Sequence, residues 1–508
     1  MPEYLRAYIV VFFLSNSIFW LLPKLNISDI NRAEIKQWRN YWLIIATLCF
    51  FITNIWLYVF CLMVVLGGAI HAKVDRLPLF FAVSCASPLY HLTIPGFGII
   101  NYLISISYVT IVVIMLLGFN RQQLTRQSYS HFPLLKSVVL YFVVVSILES
   151  RGTTVTHALR LSTTAFLTVL LPFSLISRSV NDTETFKKCF VALTLCLAPL
   201  ALMGCFETLK YWKLYSSSLV NLLGEGSGLR YSLRGDSLRS STLFSSPIVF
   251  GYMMVIGMGL LLYLQKYTTA KRLWALLFTL FLVSLYFTKA RGPWLGFAVL
   301  MVLYIWSGPN KFGNFTKFSL GSLTALLLLS MTGFGEKLIG MLPFMSSVES
   351  HEASTVEYRI RLLEQAAKLF QQNPLFGAAN YRETAEMEVM RQGQGIIDVV
   401  NSYIDIGLSY GIVGLGIFLF IFAALFFTVL KKVRALPETE GDLINIGRSL
   451  YAILGAILFI IFTVSSIDYI PTFYWIFAGL CSAYIRQCDR VLADKYTLKK
   501  QSIQALPT

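Results

Sequence analysis

The sequence predicts an all-α polytopic membrane protein of about 14 transmembrane helices, with two large extracytoplasmic loops, the second containing an amphipathic helix. Three observations predict it. Apolar stretches recur along most of the chain, many near the roughly 20 residues that a helix needs to cross about 30 Å of hydrocarbon. Only two polar intervals of any length interrupt them, 207–246 and 333–404. The composition is 56% hydrophobic and 13% charged, where a soluble domain carries about 25% charge. Hydrocarbon offers no partner to a backbone N–H or C=O, so the spans must be helices.

The spans are expected at 7–22, 42–68, 77–94, 99–118, 134–149, 157–177, 185–205, 247–265, 273–288, 292–307, 317–333, 405–429, 449–466 and 470–486. No linker or low-complexity segment divides them, so the chain reads as a single integral membrane domain over 1–508. The first span lacks a small-residue cleavage site behind it and is expected to be retained. Pro88 and His91 interrupt 77–94, and 157–177 carries Arg160, so either segment could be re-entrant.

The net charge of +16 would suit nucleic acid, but its distribution excludes that partner. With the N-terminus inside, cytoplasmic segments carry Lys73 and Arg76, Arg121 and Arg126, Lys266, Lys271 and Arg272, and Lys431, Lys432 and Arg434. The short outer loops 95–98 and 466–469 carry no Lys or Arg, which is the positive-inside pattern. The segment 24–40 dissents: it is expected outside although it holds Lys24, Arg32, Lys36 and Arg39. Both large loops then face outward. The eight cysteines lie in or near spans without a CxxC pair, so buried, inert thiols are expected rather than disulfides or a metal site. No fixed-period repeat is present, nor the pair of similarly broken halves that marks many transporters.

Candidate chemistry gathers near the outer face. The segment FTKARGPWLGF places Lys289 and Arg291 in a tight turn, with Pro293 near the start of the next helix, where its missing N–H costs little. A helix N-terminus and a guanidinium both favour phosphate oxygens; the alternative is an arginine that marks a helix end or snorkels to headgroups. The run GLRYSLRGDSLRSSTLFSSPIVFGYMM carries Arg230, Arg234 and Arg239 from the first loop into a span. Three outer arginines, against the usual sidedness, point to an anionic ligand, with bilayer phospholipid as the other account. Arg160 stands about one turn inside its span and is either functional or paired with Glu149.

In the second loop, TVEYRIRLLEQAAKLFQQNPLFGAANY repeats apolar residues at Ile360, Leu363, Ala367 and Phe370. That spacing predicts an amphipathic helix lying on the membrane or capping the bundle, closed by Asn373-Pro374 and a turn at Gly377. Arg359 and Arg361 project from its start. Beyond it, Glu383, Glu386, Glu388, Arg391 and Asp398 lead into VVNSYIDIGLSYGIVGLGIF, where Asn401 and Asp405 share one face. A carboxylate here could take a proton from a hydroxyl, or simply be solvated. His351 is the histidine placed clearly in an outer loop.

Three segments together resemble the O-antigen polymerase and ligase superfamily of bacterial surface polysaccharide synthesis. They are RSSTLFSSPIVFGYMM, TKARGPWLG, and the late pair RIRLLEQAAKLFQQNPLFGAANY with VVNSYIDIGLSYGIVGLG, spread over residues 200–430. The resemblance implies a bacterial inner-membrane enzyme, facing the periplasm, that takes a glycan from undecaprenyl pyrophosphate with no metal or other cofactor. Polymerases pass the glycan to another carrier-linked repeat unit; ligases pass it to a lipid A core. A flippase and a chain-length regulator are the implied partners, beside membrane lipid.

Arg239 and Arg291 match the family arginines thought to hold the pyrophosphate. Where ligases carry a His-Asn pair, this chain reads Val400-Asn401, which argues for a polymerase and leaves the base open. Asp398 is the first substitute, with Glu386, Glu388, Asp405 and His351 behind it. The expected catalytic set is therefore Arg239, Arg291 and Asp398. Arg160, Arg230, Arg234, Lys289, Arg359, Asn401 and Tyr403 are expected to bind substrate, and Tyr358, Tyr381 and Trp294 to stack on sugar rings. The rivals are a ligase-type transfer and a membrane transporter.

Overall fold

The computed structural model describes residues 1–96, 101–118, 132–234, 237–330, 335, 350–391 and 397–504. Helices dominate. Among the described residues, sheet is confined to two small antiparallel hairpins, His91–Pro95 with Tyr102–Ser107 and Leu233–Arg234 with Ser237–Leu238. The chain is an all-α polytopic membrane protein. Seven of the described helices are long and apolar enough to cross a bilayer, and Ile55–His71, Tyr108–Gly118 and Arg291–Trp306 are shorter apolar helices. Thr183–Lys210 and Pro247–Leu264 form the centre of the bundle, with 89% and 94% of their apolar windows buried. Lys271–Thr288, at 28%, turns most of its surface outward, as a lipid-facing helix does.

The expected span 42–68 is two helices, and this corrects the sidedness. Arg32–Phe51 ends at Ile52, which is extended (φ −93°, ψ 128°). Asn54 then caps Ile55–His71 by accepting from Trp56 N and Leu57 N at 2.9 and 3.2 Å. One small cap thus divides an apolar run that has no charge or proline to mark the break. The extra reversal moves 24–31 to the end of the bundle where the basic segments gather. There Lys188 Nζ meets Glu34 at 2.8 Å, Glu184 at 3.0 Å and Asp75 at 3.2 Å. Lys187 Nζ meets Asp29 at 2.6 Å, and Ser28 N donates to Tyr267 O at 3.1 Å. The expectation that 24–40 lies at the end opposite the other basic segments is overturned: its contacts join it to Asp75, Lys187, Lys188 and Tyr267. Glu3 lies at the far end, where it accepts from Trp212 Nε1 at 3.3 Å.

Neither 77–94 nor 99–118 is a through-going helix. Arg76–Val83 has eight residues; the chain then turns at Ser84–Pro88 into the hairpin His91–Pro95/Tyr102–Ser107 and resumes as Tyr108–Val113. Pro88 cannot continue the first helix, and the alternating Tyr-Leu-Ile-Ser-Ile-Ser favours a strand. By contrast, Val155–Ser179 is continuous. Its π-turn at Phe166–Leu170 accommodates Pro172, whose ring would otherwise meet the preceding turn. Arg121 and Arg126, expected on the inner side, lie outside the described residues.

Two close approaches position the far end. Arg291–Trp306 packs on Gly441–Thr463 through Gly292 and Gly296, four residues apart. A Cβ at these positions would lie 2.5 Å from Thr463 Oγ1 and 2.3 Å from Ile460 Cγ1. Small residues at this spacing let helix backbones meet. The second approach is a broken helix. Ser402–Ala435 is interrupted at Gly411 (φ 66°, ψ −166°), and the turn after Ser350–Gln372 fills the gap. Ala378 N donates to Leu408 O, Ile412 N to Pro374 O, and Val413 N to Leu375 O, at 2.8, 2.8 and 3.2 Å. Backbone groups freed by the break are thereby satisfied from the outer segment.

Two outcomes are expected. In a cysteine-free background, an impermeant maleimide labels Ala33→Cys and Thr269→Cys from one side of the membrane and Glu225→Cys from the other; labelling of Ala33→Cys with Glu225→Cys would contradict the sidedness. Gly377→Ala places a Cβ 2.4 Å from Leu408 O at φ +62°. It should cost at least about 1–3 kcal/mol, read as a lowered Tm of the purified protein.

Candidate functional site

The site assembles around the turn between Lys271–Thr288 and Arg291–Trp306. Lys289 takes the left-handed conformation (φ 48°) and Ala290 is extended, so the chain reverses within two residues. The small hairpin of the first large loop is bonded to that turn. Arg234 Nη1 donates to Lys289 O at 2.9 Å, and Lys289 Nζ donates back to Arg234 O at 3.0 Å. Arg239 Nε donates to Thr288 O at 3.0 Å, and Ser240 N to Phe287 O at 3.0 Å. Arg239 is therefore bonded three residues from Arg291, and the two motifs flank one turn.

Among the described residues, Arg239 Nη1 and Nη2 form no hydrogen bond. Burial pulls its guanidinium down to about 10, and the neighbouring Arg234 adds to the shift. On the other side of the turn, burial followed by repulsion from Arg291 lowers Arg359, with Asp398 opposing. Like charges 4 Å apart repel by about 1–4 kcal/mol as the effective dielectric falls from water's to about 20. Arg234, Arg239, Lys289, Arg291 and Arg359 thus form a cationic cluster that an anion would relieve.

Beside it runs the segment Val464–Asp468, which ties the pieces together. Val464 and Thr463 pack on Gly292. Ser402 Oγ donates to Val464 O at 2.9 Å, and Ser466 Oγ to Ser402 Oγ at 2.7 Å. Ser465 donates its hydroxyl to the Asp398 carboxylate, and Ser245 donates to Asp468. An apolar cavity of about 540 Å³ opens alongside, lined by Arg359, Leu363, Phe370, Val400, Tyr403 and Phe462 among others. The helix Ser350–Gln372 presents two apolar faces here. Leu362, Ala366 and Leu369 pack into a small core with Tyr381, Met387 and Val399; Leu363, Ala367 and Phe370, from the expected stripe, line the cavity together with Leu362 and Ala366. Ile360 is exposed.

The other expected residues fall differently. Arg160 stacks on the Tyr102 ring at 4.1 Å, whereas Glu149 is bonded by the Tyr410 hydroxyl, so the Arg160–Glu149 pair is not formed. Arg230 is exposed ahead of the hairpin. Asn401 is the N-cap of Ser402–Ala435, its side chain accepting from Tyr403 N and Ile404 N at 2.9 and 3.3 Å. Tyr403 donates to Leu458 O at 2.9 Å, and its ring meets Phe418 and Phe462. Tyr381 is buried and presents no free face for a sugar, while the half-buried Trp294 donates its Nε1 to Leu285 O at 3.0 Å and packs on the Tyr286 ring. His351 falls in the first turn of its helix.

The carboxylates sort by partner. Asp405 is held by Arg382 at 2.8 Å and by the Tyr381 hydroxyl. The pKa of Glu386 is lowered by its own backbone N–H and then by Gln372, and that of Glu388 by Arg391. Asp398 is exposed and is felt by Arg359. Asp468, not singled out from the sequence, has no ion pair among the described residues, and burial raises its pKa. It is the one acidic residue of VSSIDYIPT, a charge isolated in an apolar outer turn, and that isolation was the available signal. Glu207 and Lys213 were likewise passed over: they form a fully buried ion pair at 3.3 Å behind Arg239. All eight cysteines are free thiols, buried except for the half-buried Cys61.

Residues 275–419 match a protein-family model described as O-Antigen ligase. The match takes in Lys289, Arg291, Arg359, Asp398, Asn401 and Tyr403, and leaves Arg160, Arg230, Arg234, Arg239 and Asp468 outside it. It agrees with the resemblance to the O-antigen polymerase and ligase superfamily and indicates, in general terms, a glycosyl-transferring membrane enzyme. No curated protein matches the chain.

Replacing Arg239 with Ala should weaken binding of a prenyl diphosphate to the nanodisc-embedded protein by about ten- to a hundredfold, since each charge-assisted hydrogen bond contributes roughly 1.5–3 kcal/mol. Arg239→Lys should recover only part, having the charge without the planar fork. Equal affinity in all three proteins would remove the diphosphate from this turn.

Proposed function

We propose that the chain is a polysaccharide polymerase. It transfers a glycan from undecaprenyl pyrophosphate onto another lipid-linked repeat unit at the outer face of a bacterial inner membrane, without a metal. The observation that carries this reading is Arg239: a half-buried guanidinium whose terminal nitrogens bond no described residue, beside Arg234 and against the turn that starts the Arg291 helix. A desolvated fork of this kind is a strong partner for phosphate oxygens.

In the proposed reaction the acceptor hydroxyl attacks the anomeric carbon while the bond from that carbon to the pyrophosphate oxygen breaks. Negative charge grows on the departing diphosphate, and Arg239 and Arg291 neutralise it with groups already in place, which stabilises the transition state more than the ground state. Arg359, Arg234 and Lys289 hold the remaining oxygens. The carrier's first isoprene units occupy the cavity lined by Leu363, Phe370 and Phe462, with the rest of the tail in the bilayer. The match to a ligase family leaves polymerase and ligase open, and Val400 favours the polymerase. That residue lines the cavity where a ligase-type histidine base is expected, and it cannot take a proton.

Two carboxylates can receive the acceptor's proton. Asp398 is coupled to Arg359 and so lies beside the cluster, and it remains our first assignment. Asp468 is the alternative, because burial raises its pKa above the ordinary 3.8. A base must be deprotonated to act. With Asp468 in that role, activity is full above its folded pKa and is lost as pH falls through it, earlier on acidification than an unperturbed carboxylate would allow.

Purified protein given a synthetic undecaprenyl-pyrophosphate-linked repeat unit should yield a ladder of products without added metal. Arg291→Ala should abolish the ladder with membrane insertion intact. If Asp398 is the base, Asp398→Asn removes the ladder and Asp468→Asn leaves the acid limb of the pH profile in place; the reverse result assigns Asp468. A single transfer to lipid A core, with no ladder, would make the protein a ligase.

A further inference from the structure

Arg239 owes its position to a buried ion pair that the reaction itself does not use. Glu207 ends the outer part of Thr183–Lys210, and its carboxylate is fully enclosed. It accepts from Leu214 N at 3.1 Å, Thr242 N at 2.9 Å and Ser241 N at 3.4 Å, as well as from Lys213 Nζ at 3.3 Å. The Lys213 ammonium spends its remaining donors on Arg239 O at 2.7 Å and Ser241 Oγ at 2.8 Å. Burial is the main cause that lowers the Lys213 pKa, and Glu207 opposes it.

A buried ion pair is a poor source of net stability, because desolvating two charges offsets most of their attraction. This pair fixes geometry. Thr242 sits at φ +52°, a conformation that costs a β-branched residue energy, and the carboxylate holds it there by accepting its N–H. The same carboxylate and ammonium grip 239–242 from behind, while Ser240 N and Arg239 Nε grip the Phe287–Thr288 carbonyls in front. The Arg239 backbone is thus clamped between a helix end and the Arg291 turn.

We propose that Glu207 and Lys213 are positioning residues: by holding the carbonyl of Arg239 they aim its guanidinium at the diphosphate. The inference rests on the reading of Arg239 as a diphosphate ligand. Neither side chain is open to solvent, so neither touches the substrate, and their effect must pass through Arg239.

That dependence is what a double-mutant cycle measures. The full-length protein is placed in nanodiscs and titrated with undecaprenyl pyrophosphate lacking a sugar. Glu207→Gln combined with Lys213→Met removes both charges together and leaves no unpaired ion. In the wild-type background it should weaken binding tenfold or more; in an Arg239→Ala background it should weaken binding less than twofold. Ser241→Ala, which removes one acceptor and no charge, should show the same dependence at several-fold and serves if the charge variant does not fold. Losses that multiply in the two backgrounds, or variants that bind as well as wild type while Arg239→Ala binds poorly, would overturn the positioning role. Wild-type affinity in Arg239→Ala would instead sink the functional reading, and this inference with it.

Discussion

Hydrocarbon offers a backbone no hydrogen-bonding partner, and the arrangement of this chain follows from that constraint. Long runs stay helical because each N–H finds its own carbonyl. Where a helix does break, another piece of protein supplies the missing bonds. At Gly411 the turn 374–378 inserts into Ser402–Ala435 and trades three backbone hydrogen bonds with it. Gly377 and Gly411 are required there because a Cβ on either would overlap the other segment's backbone. The outer helix Ser350–Gln372 is thus fastened to a membrane helix by main chain. That fastening sets the cavity wall beside the cationic turn.

The cationic cluster is a second consequence of low dielectric. In water five neighbouring cations would be a minor matter; here burial first, and repulsion from a neighbouring arginine second, pull Arg239 and Arg359 below the usual guanidinium range. The fold tolerates this by spending Arg234, Lys289 and Arg239 Nε on backbone carbonyls of one turn. Such an arrangement costs stability, and in the proposed function it is the place where the diphosphate would bind. Glu207 and Lys213 belong to the same economy: their buried charges cancel each other and leave the cluster's excess intact.

Much of this was legible in the chain. The apolar runs, the amphipathic helix and its Asn373-Pro374 stop all follow from local periodicity and capping chemistry. Arg239 and Arg291 were marked by charge at the end of an apolar helix. The failures share a cause. Asn54 splits an apolar run with a side-chain cap worth only about 1 kcal/mol, too small a feature to outweigh twenty hydrophobic neighbours. Pro88 and the alternating strand at Tyr102–Ser107 were visible, but the pairing that makes them a hairpin is not local. Glu207 and Lys213 stand six residues apart, but the segment 239–242 that they grip is remote in sequence, as is Ser245, which bonds Asp468, so no short window contains the contacts that give these charges meaning. Asn401 shows the reverse: its type and place suited a ligand, and the backbone of the next helix claims it as a cap.

Everything in the functional account depends on one ligand lying at one turn. Cryo-electron microscopy of the protein in nanodiscs with undecaprenyl pyrophosphate bound would locate it. The account predicts diphosphate density between the guanidinium groups of Arg239 and Arg291, with the first isoprene units running toward Phe370 and Phe462. Density at the basic end, near Lys266 and Lys271, or a diphosphate beyond hydrogen-bonding reach of both arginines, would contradict it.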